Sequence, residues 1–162
     1  MKLLQSLARV FAVLAGVILV GITLMTVYSV VGRDLFGKAL VGDFELTGVM
    51  TGAAIAMFLP WCQVRRGNII VDFFTAKAKE STRVGLDRLG AFLLACMMGL
   101  CAWRATLGGL SAWKSNSGTM MLGFPEWIVY CFIVPALALT ALIALMQATK
   151  GFPPVEGEEV LL

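Results

Sequence analysis

The sequence predicts an all-α integral membrane protein of four transmembrane helices, and composition and charge placement carry that prediction. Apolar side chains make up 59% of the 162 residues, with 17 glycines besides, against about half for a soluble domain with glycine included. Charged residues are 14%, where about a quarter is usual. They are bunched between long uncharged stretches instead of being spread over a surface. The net charge of +3 is offset by ten carboxylates, so no basic stripe marks a nucleic-acid partner.

The charge-free intervals define the spans in order. Val10–Gly32 holds 23 residues, Leu46–Val64 holds 19 and Trp127–Thr149 holds 23, each near the roughly 20 residues that cross about 30 Å of hydrocarbon. Leu89–Trp103 holds only 15, but the apolar pattern continues past Arg104 to Trp113. The spans are therefore placed at about 10–32, 46–64, 89–113 and 127–149. Arg104 lies about 22 Å from Leu89 along the helix, which lets its side chain snorkel to the far interface. The first apolar run is longer than the 7 to 15 residues of a signal-peptide core, so it is expected to stay attached.

Four spans put both termini on one side. That side carries Lys2, Arg9, Arg65, Arg66, Lys77, Lys79, Arg83, Arg88 and Lys150, while the opposite connections carry Arg33, Lys38 and Lys114. The excess of nine cations over three predicts cytoplasmic termini. The external connections, Arg33–Glu45 and Lys114–Glu126, are 13 residues each, too short for a domain. In the segment 65–88, Ile69, Ile70, Phe73 and Phe74 fall on one side of a helix, with Asp72, Lys79 and Arg83 able to face away. A short amphipathic helix on the inner membrane surface is expected there, the alternative being a solvated loop. Ser81 or Thr82 can cap the helix leading into the third span. The tail 151–162 is polar enough to be loosely ordered.

Inside the spans, Gly48, Gly52 and Ala56 recur every four residues, as do Ala91, Ala95 and Gly99. Such rows permit close helix contact, where dispersion supplies much of the association energy in lipid, although small residues are common in membrane helices anyway. Pro60 and Pro135 each remove a backbone hydrogen bond and can bend a helix. Histidine is absent, which removes the usual haem ligand and the commonest general base. Cys62, Cys96, Cys101 and Cys131 show no C-x-x-C spacing, so no zinc site or disulfide framework is indicated. No acid lies at mid-membrane, and the hydroxyls of Thr23, Thr26, Ser29, Thr47, Thr51 and Thr140 can bond back to their own helices. No cofactor, metal or catalytic group is expected, and function should lie in the faces of the helices.

Arg33-Asp34-Leu35-Phe36-Gly37 closes the first span, Glu45-Leu46 opens the second, and Arg66-Gly67-Asn68-Ile69-Ile70-Val71-Asp72 follows it. Gly123-Phe124-Pro125-Glu126-Trp127-Ile128-Val129-Tyr130 opens the fourth, with Pro135 beyond. In this order the features resemble the small membrane subunit, DctQ-like, of tripartite ATP-independent periplasmic (TRAP) transporters, over essentially the whole chain. The chain departs from the family at Asn68, often histidine, and at Phe44, where tryptophan often stands near the acid.

The resemblance implies a secondary transporter of three parts in the bacterial or archaeal cytoplasmic membrane. They are a soluble periplasmic substrate-binding protein (DctP-like), a large membrane subunit (DctM-like) that carries substrate and sodium ions, and this chain as a non-catalytic scaffold beside it. Organic anions are the family's cargo.

At the external interface Arg33, Asp34, Glu45, Arg104, Glu126 and Trp127 are candidates for pairing with one another or for contact with the binding protein; an exposed ion pair contributes only about 0–1 kcal/mol. Trp61, Trp113, Trp127 and Tyr130 fit an aromatic belt, with docking as the alternative. Arg65 and Arg66 anchor the inner interface, with Asp72, Phe73 and Phe74 beside them and anionic lipid as a further partner. Two rival classes remain. A four-helix thiol–quinone redox enzyme needs reactive cysteines near the external loops, and neither loop has one; a homo-oligomeric channel or exporter predicts transport by this chain alone.

Overall fold

The computed structural model describes residues 2–38, 40–65 and 80–151. Four helices account for nearly all of them: α1 (Lys2–Phe36), α2 (Asp43–Val64), α3 (Glu80–Ser115) and α4 (Trp127–Lys150). All four are long and apolar enough to cross a membrane. The segment for which a surface helix was expected lies outside the described residues from 66 to 79, with Arg66, Asp72, Phe73 and Phe74, and so does the tail beyond Gly151. Residues 80–88, expected to lie outside the third span, continue into α3 without a break, and Ser81 and Thr82 fall in its first turn.

The helices outrun the charge-free intervals because a charge ends contact with hydrocarbon and does not end a helix. At 1.5 Å per residue, α1 and α3 with 35 and 36 residues measure about 52 and 54 Å, well beyond the roughly 30 Å of a bilayer core. The connections are correspondingly short: 37–42 between α1 and α2, and 116–126 between α3 and α4. The end of the molecule holding these two connections is called here the hairpin end.

Packing runs α1 on α2, α2 on α4, and α4 on α3, with α1 touching α4 lightly. The helices therefore form a row in the order α1–α2–α4–α3 instead of closing into a bundle. The inner members, α2 and α4, bury Ala53, Ala54, Met57 and Pro60 on one and Ala136, Leu139, Ile143 and Ala144 on the other, with Ala54, Met57 and Ala136 clustering around Ala15 of α1 and Leu139 and Ile143 around Ala8. The outer members bury only narrow seams. On α1 the seam is Leu4, Ala8, Phe11, Ala15, Ile18, Ile22, Met25, Ser29 and Gly32, all buried or half-buried. On α3 it is Ala91, Ala95, Met98, Ala102, Ala105, Gly109 and Ala112.

Both seams alternate steps of four and three, the seven-residue period that keeps one stripe facing a neighbour along a gently supercoiled pair. Alanine fills the buried positions because lipid tails are as apolar as leucine. Large side chains gain little by turning inward, whereas small ones let backbones approach. At Gly109 an added Cβ would sit 2.9 Å from Tyr130 Cβ, and at Gly108 it would sit 3.2 Å from Tyr130 Cε1, so Tyr130 of α4 lies against bare α3 backbone. Pro60 is buried and Pro135 exposed, and both helices continue through them.

Candidate functional site

The polar side chains gather at the two ends of the row. At the hairpin end α1 stops at Gly37, whose φ of +65° suits a residue without Cβ. Its N–H donates to the Arg33 carbonyl at 3.0 Å, an αL-type cap. The chain re-enters α2 through Gly42, at φ +78°. Asp43 and Glu45 occupy the first turn of α2, where the helix dipole favours negative charge.

The two carboxylates act in different directions. Asp43 accepts a hydrogen bond from the hydroxyl of Ser29, a residue buried in the α1 seam. Its other oxygen accepts from the Phe44 N–H at 2.7 Å, and Arg33 Nη2 stands 3.9 Å away. The Leu40 N–H donates to Ser29 Oγ at 3.3 Å, so a single hydroxyl ties α1, the connection and α2 together. Beside it lies a cavity of about 440 Å³ lined by Tyr28, Ser29, Gly32, Phe36, Lys38 and Leu40.

Glu45 reaches across to the other connection, where both its oxygens accept from the Met121 N–H at 3.1 Å and one accepts from the Leu122 N–H at 3.4 Å. That connection is itself braced. Thr119 N–H donates to the Phe124 carbonyl at 3.0 Å, Gly123 N–H to the Thr119 carbonyl at 2.9 Å, and Phe124 N–H to Thr119 Oγ1 at 3.1 Å. Glu126 accepts from the Ser117 hydroxyl at 3.3 Å. A Cβ on Gly42 would come 2.3 Å from Leu122 Cγ, so the two connections interlock side chain on backbone.

The result is a stiff tip that presents apolar groups outward: Met120 is 100% exposed, Phe44 89% and Phe36 77%. Glu45→Ala is expected to release this tip. Charge-assisted hydrogen bonds contribute about 1.5–3 kcal/mol each, so amide exchange at Met121 and Leu122 should quicken at least tenfold while exchange in mid-α4 stays unchanged.

The residues expected to pair with one another at this end take other partners: Arg33 meets Asp43, Glu45 the Met121 and Leu122 N–H groups, Glu126 the Ser117 hydroxyl, and Trp127 the Trp113 ring at 4.6 Å between centroids. Asp34 makes no ion pair among the described residues, and Arg104 does not join the cluster. Asp43 was not among the expected members, and Ser29, whose hydroxyl was expected to bond back to its own helix, donates to Asp43 instead. The signal was available for Asp43, since an acid directly after a turn glycine is a helix-start pattern.

At the opposite end Trp61 lies between two guanidinium groups, Arg9 at 5.6 Å and Arg65 at 5.9 Å from its centroid, joining the start of α1 to the end of α2 by cation–π attraction. Nearby Gln63 Nε2 donates to Gln147 Oε1 at 2.6 Å, and Gln147 Nε2 donates to the Gln63 carbonyl at 3.0 Å. Both side chains are buried. That carbonyl belongs to the last turn of α2, so Gln147 braces the end of α2 from α4.

The small-residue rows divide. Ala56, Ala91 and Ala95 are buried within the chain, whereas Gly48, Gly52 and Gly99 are exposed with open space where a Cβ would stand. The four cysteines lie inside helices, and none forms a disulfide among the described residues. Among the described residues no group of three or more histidine, cysteine or acidic side chains is placed to hold a metal.

A row of four apolar helices whose polar groups bind its own ends together defines a multi-pass membrane protein with wide outward faces. Residues 22–153 match the family model described as tripartite ATP-independent periplasmic transporters, DctQ component. The chain belongs to that family, whose members are transporter subunits and generally non-catalytic. Neither the curated protein sequences nor the solved structures yield a match.

Proposed function

We propose that this chain is the non-catalytic small subunit that scaffolds the large subunit of a TRAP-type transporter during sodium-coupled uptake of an organic anion. The observation that carries the reading is the open row: both outer helices bury only a narrow seam and leave their remaining surface uncovered. On α1, for example, Val17 is 65% exposed and Leu24 64%. A chain built to close on itself would spend those faces internally; a chain built to widen another protein's static frame would not. Membrane association by packing favours such rigid, preformed surfaces.

The cation asymmetry supports a cytoplasmic side for the termini and, with it, an external side for the hairpin end. There the braced tip around Met120, Phe36 and Phe44 offers a seat for the soluble binding protein. Contact through a stiff apolar patch avoids the ordering cost that a flexible loop would incur.

The test is reconstitution. Liposomes holding this chain with the large subunit, supplied with the binding protein and a sodium gradient, are expected to accumulate the organic anion. Liposomes holding this chain alone should accumulate nothing. Uptake by the chain alone would establish a self-sufficient channel or exporter instead.

A further inference from the structure

We infer that the Arg104 face of α3 is covered in the assembled transporter by a membrane helix of the large subunit, and that this helix brings an aspartate or glutamate to Arg104 within the bilayer. The inference rests on the subunit reading above and goes beyond it by naming the face and the chemistry that meets it.

Depth is fixed by two landmarks on α3. The guanidinium of Arg88 lies beside Gly151, 3.6 Å from where a Cβ there would stand, which marks the end holding the termini. The Trp113–Trp127 contact marks the hairpin end. Arg104 is sixteen residues from Arg88 and nine from Trp113, or about 24 and 13 Å at 1.5 Å per residue. Its five side-chain bonds of about 1.5 Å reach roughly 6 Å. The Trp113 level is beyond that reach, against the snorkelling expected from the sequence, and the direction is also unfavourable: Cα–Cβ bonds tilt toward a helix's N-terminus, which on α3 points away from the hairpin end.

The side chain is exposed and makes no hydrogen bond or ion pair with any described residue. Around it the surface is apolar, with Leu100 62%, Trp103 69% and Leu107 44% exposed. An unpaired guanidinium in hydrocarbon is costly, and intramembrane charges are found paired or facing a protein interior. A carboxylate is the partner that both neutralises it and accepts its forked N–H donors.

A second copy of this chain cannot supply that group. Its described acids within or beside the helices lie at the ends: Asp34, Asp43, Glu45 and Glu126 at one, Glu80 and Asp87 at the other. A protein carboxylate at this depth therefore comes from a different polypeptide.

The experiment uses the full chain co-expressed with the large subunit and purified through a tag on the small one. Arg104→Leu is expected to reduce the large subunit recovered after detergent washing at least tenfold, and Arg104→Lys to hold it within about threefold. Leucine enters a membrane more readily than arginine, so loss of the partner would not reflect failed insertion. Neutralising the acids of the large subunit's spans one at a time should yield one variant with the same loss, and combining it with Arg104→Leu should add nothing further. Unchanged recovery and unchanged melting of the Arg104→Leu complex would overturn the inference, as would unchanged recovery with loss of copurified phospholipid, which would give the guanidinium to a lipid phosphate. If the unaltered chain retrieved no large subunit, the subunit reading itself would fall and this inference with it.

Discussion

Gly109→Leu is expected to be among the most damaging single substitutions in the helical row. Even the first carbon of the new side chain would sit 2.9 Å from Tyr130 Cβ, and neither Cβ can rotate away because each is fixed to its backbone. Helices α3 and α4 must then part, which breaks the alanine seam above and below and pulls Trp113 from Trp127. Overpacking of this kind costs about 1–3 kcal/mol, with lost seam contacts in addition. At roughly 2–4 °C per kcal/mol for a chain of this size, the melting midpoint of the purified chain should fall by roughly 5–10 °C, with a change in tryptophan emission. Gly99→Leu is the matched control, since the same helix has open space at that position. It should leave the isolated chain's melting unchanged. If Gly99 serves helix packing against the large subunit, the same substitution should weaken recovery of that subunit.

Gln147→Leu is expected to give the second large loss. It removes a donor to the Gln63 carbonyl and the acceptor of the Gln63 amide in one step. Stranding buried polar groups costs about 1–3 kcal/mol. Hydrogen bonds between membrane helices average only about 0.6 kcal/mol when measured pairwise. The larger range should apply here because both amides are buried and exchange two hydrogen bonds at once. Urea or heat denaturation should therefore show a loss of more than 1 kcal/mol for Gln147→Leu. In Gln63→Leu/Gln147→Leu the combined loss should be smaller than the sum of the two single losses, because the second substitution removes a group the first had already orphaned. Additive losses would mean that the two side chains do not act as a pair.

These positions show where reading the chain alone succeeds and where it stops. The rows at Gly48, Gly52, Ala56 and at Ala91, Ala95, Gly99 follow steps of four, and each such step drifts about 40° around a helix of 3.6 residues per turn. After Ala95 the buried stripe continues by a step of three to Met98 and then to Ala102, while Gly99 turns outward. The alternation is a seven-residue period, carried mainly by small residues on α3 and by large and small ones together on α1, where it runs from Leu4 to Gly32. Gln63 and Gln147 were not legible as a pair, since uncharged amides near span ends are ordinarily solvated. Only the packing of α2 on α4 turns them into a buried brace. Arg33 and Glu45 were recognisable as interfacial charges, but their true partners, Asp43 and the backbone of the 116–126 connection, depend on how two hairpins lie side by side.

The amino-acid order by itself determined that four helices form and that they leave water, because apolar runs of this length cannot stay hydrated and must satisfy their backbone internally. It also determined that the polar chemistry gathers at the ends. Which helix lies beside which, the row α1–α2–α4–α3, and which faces remain uncovered were decided by tertiary structure alone. Hydrocarbon surrounds every apolar face equally, so hydropathy names no neighbour. Neighbours are chosen by shape, by a bare glycine backbone under a tyrosine ring or an alanine stripe under its mate, and shape exists only once the helices meet.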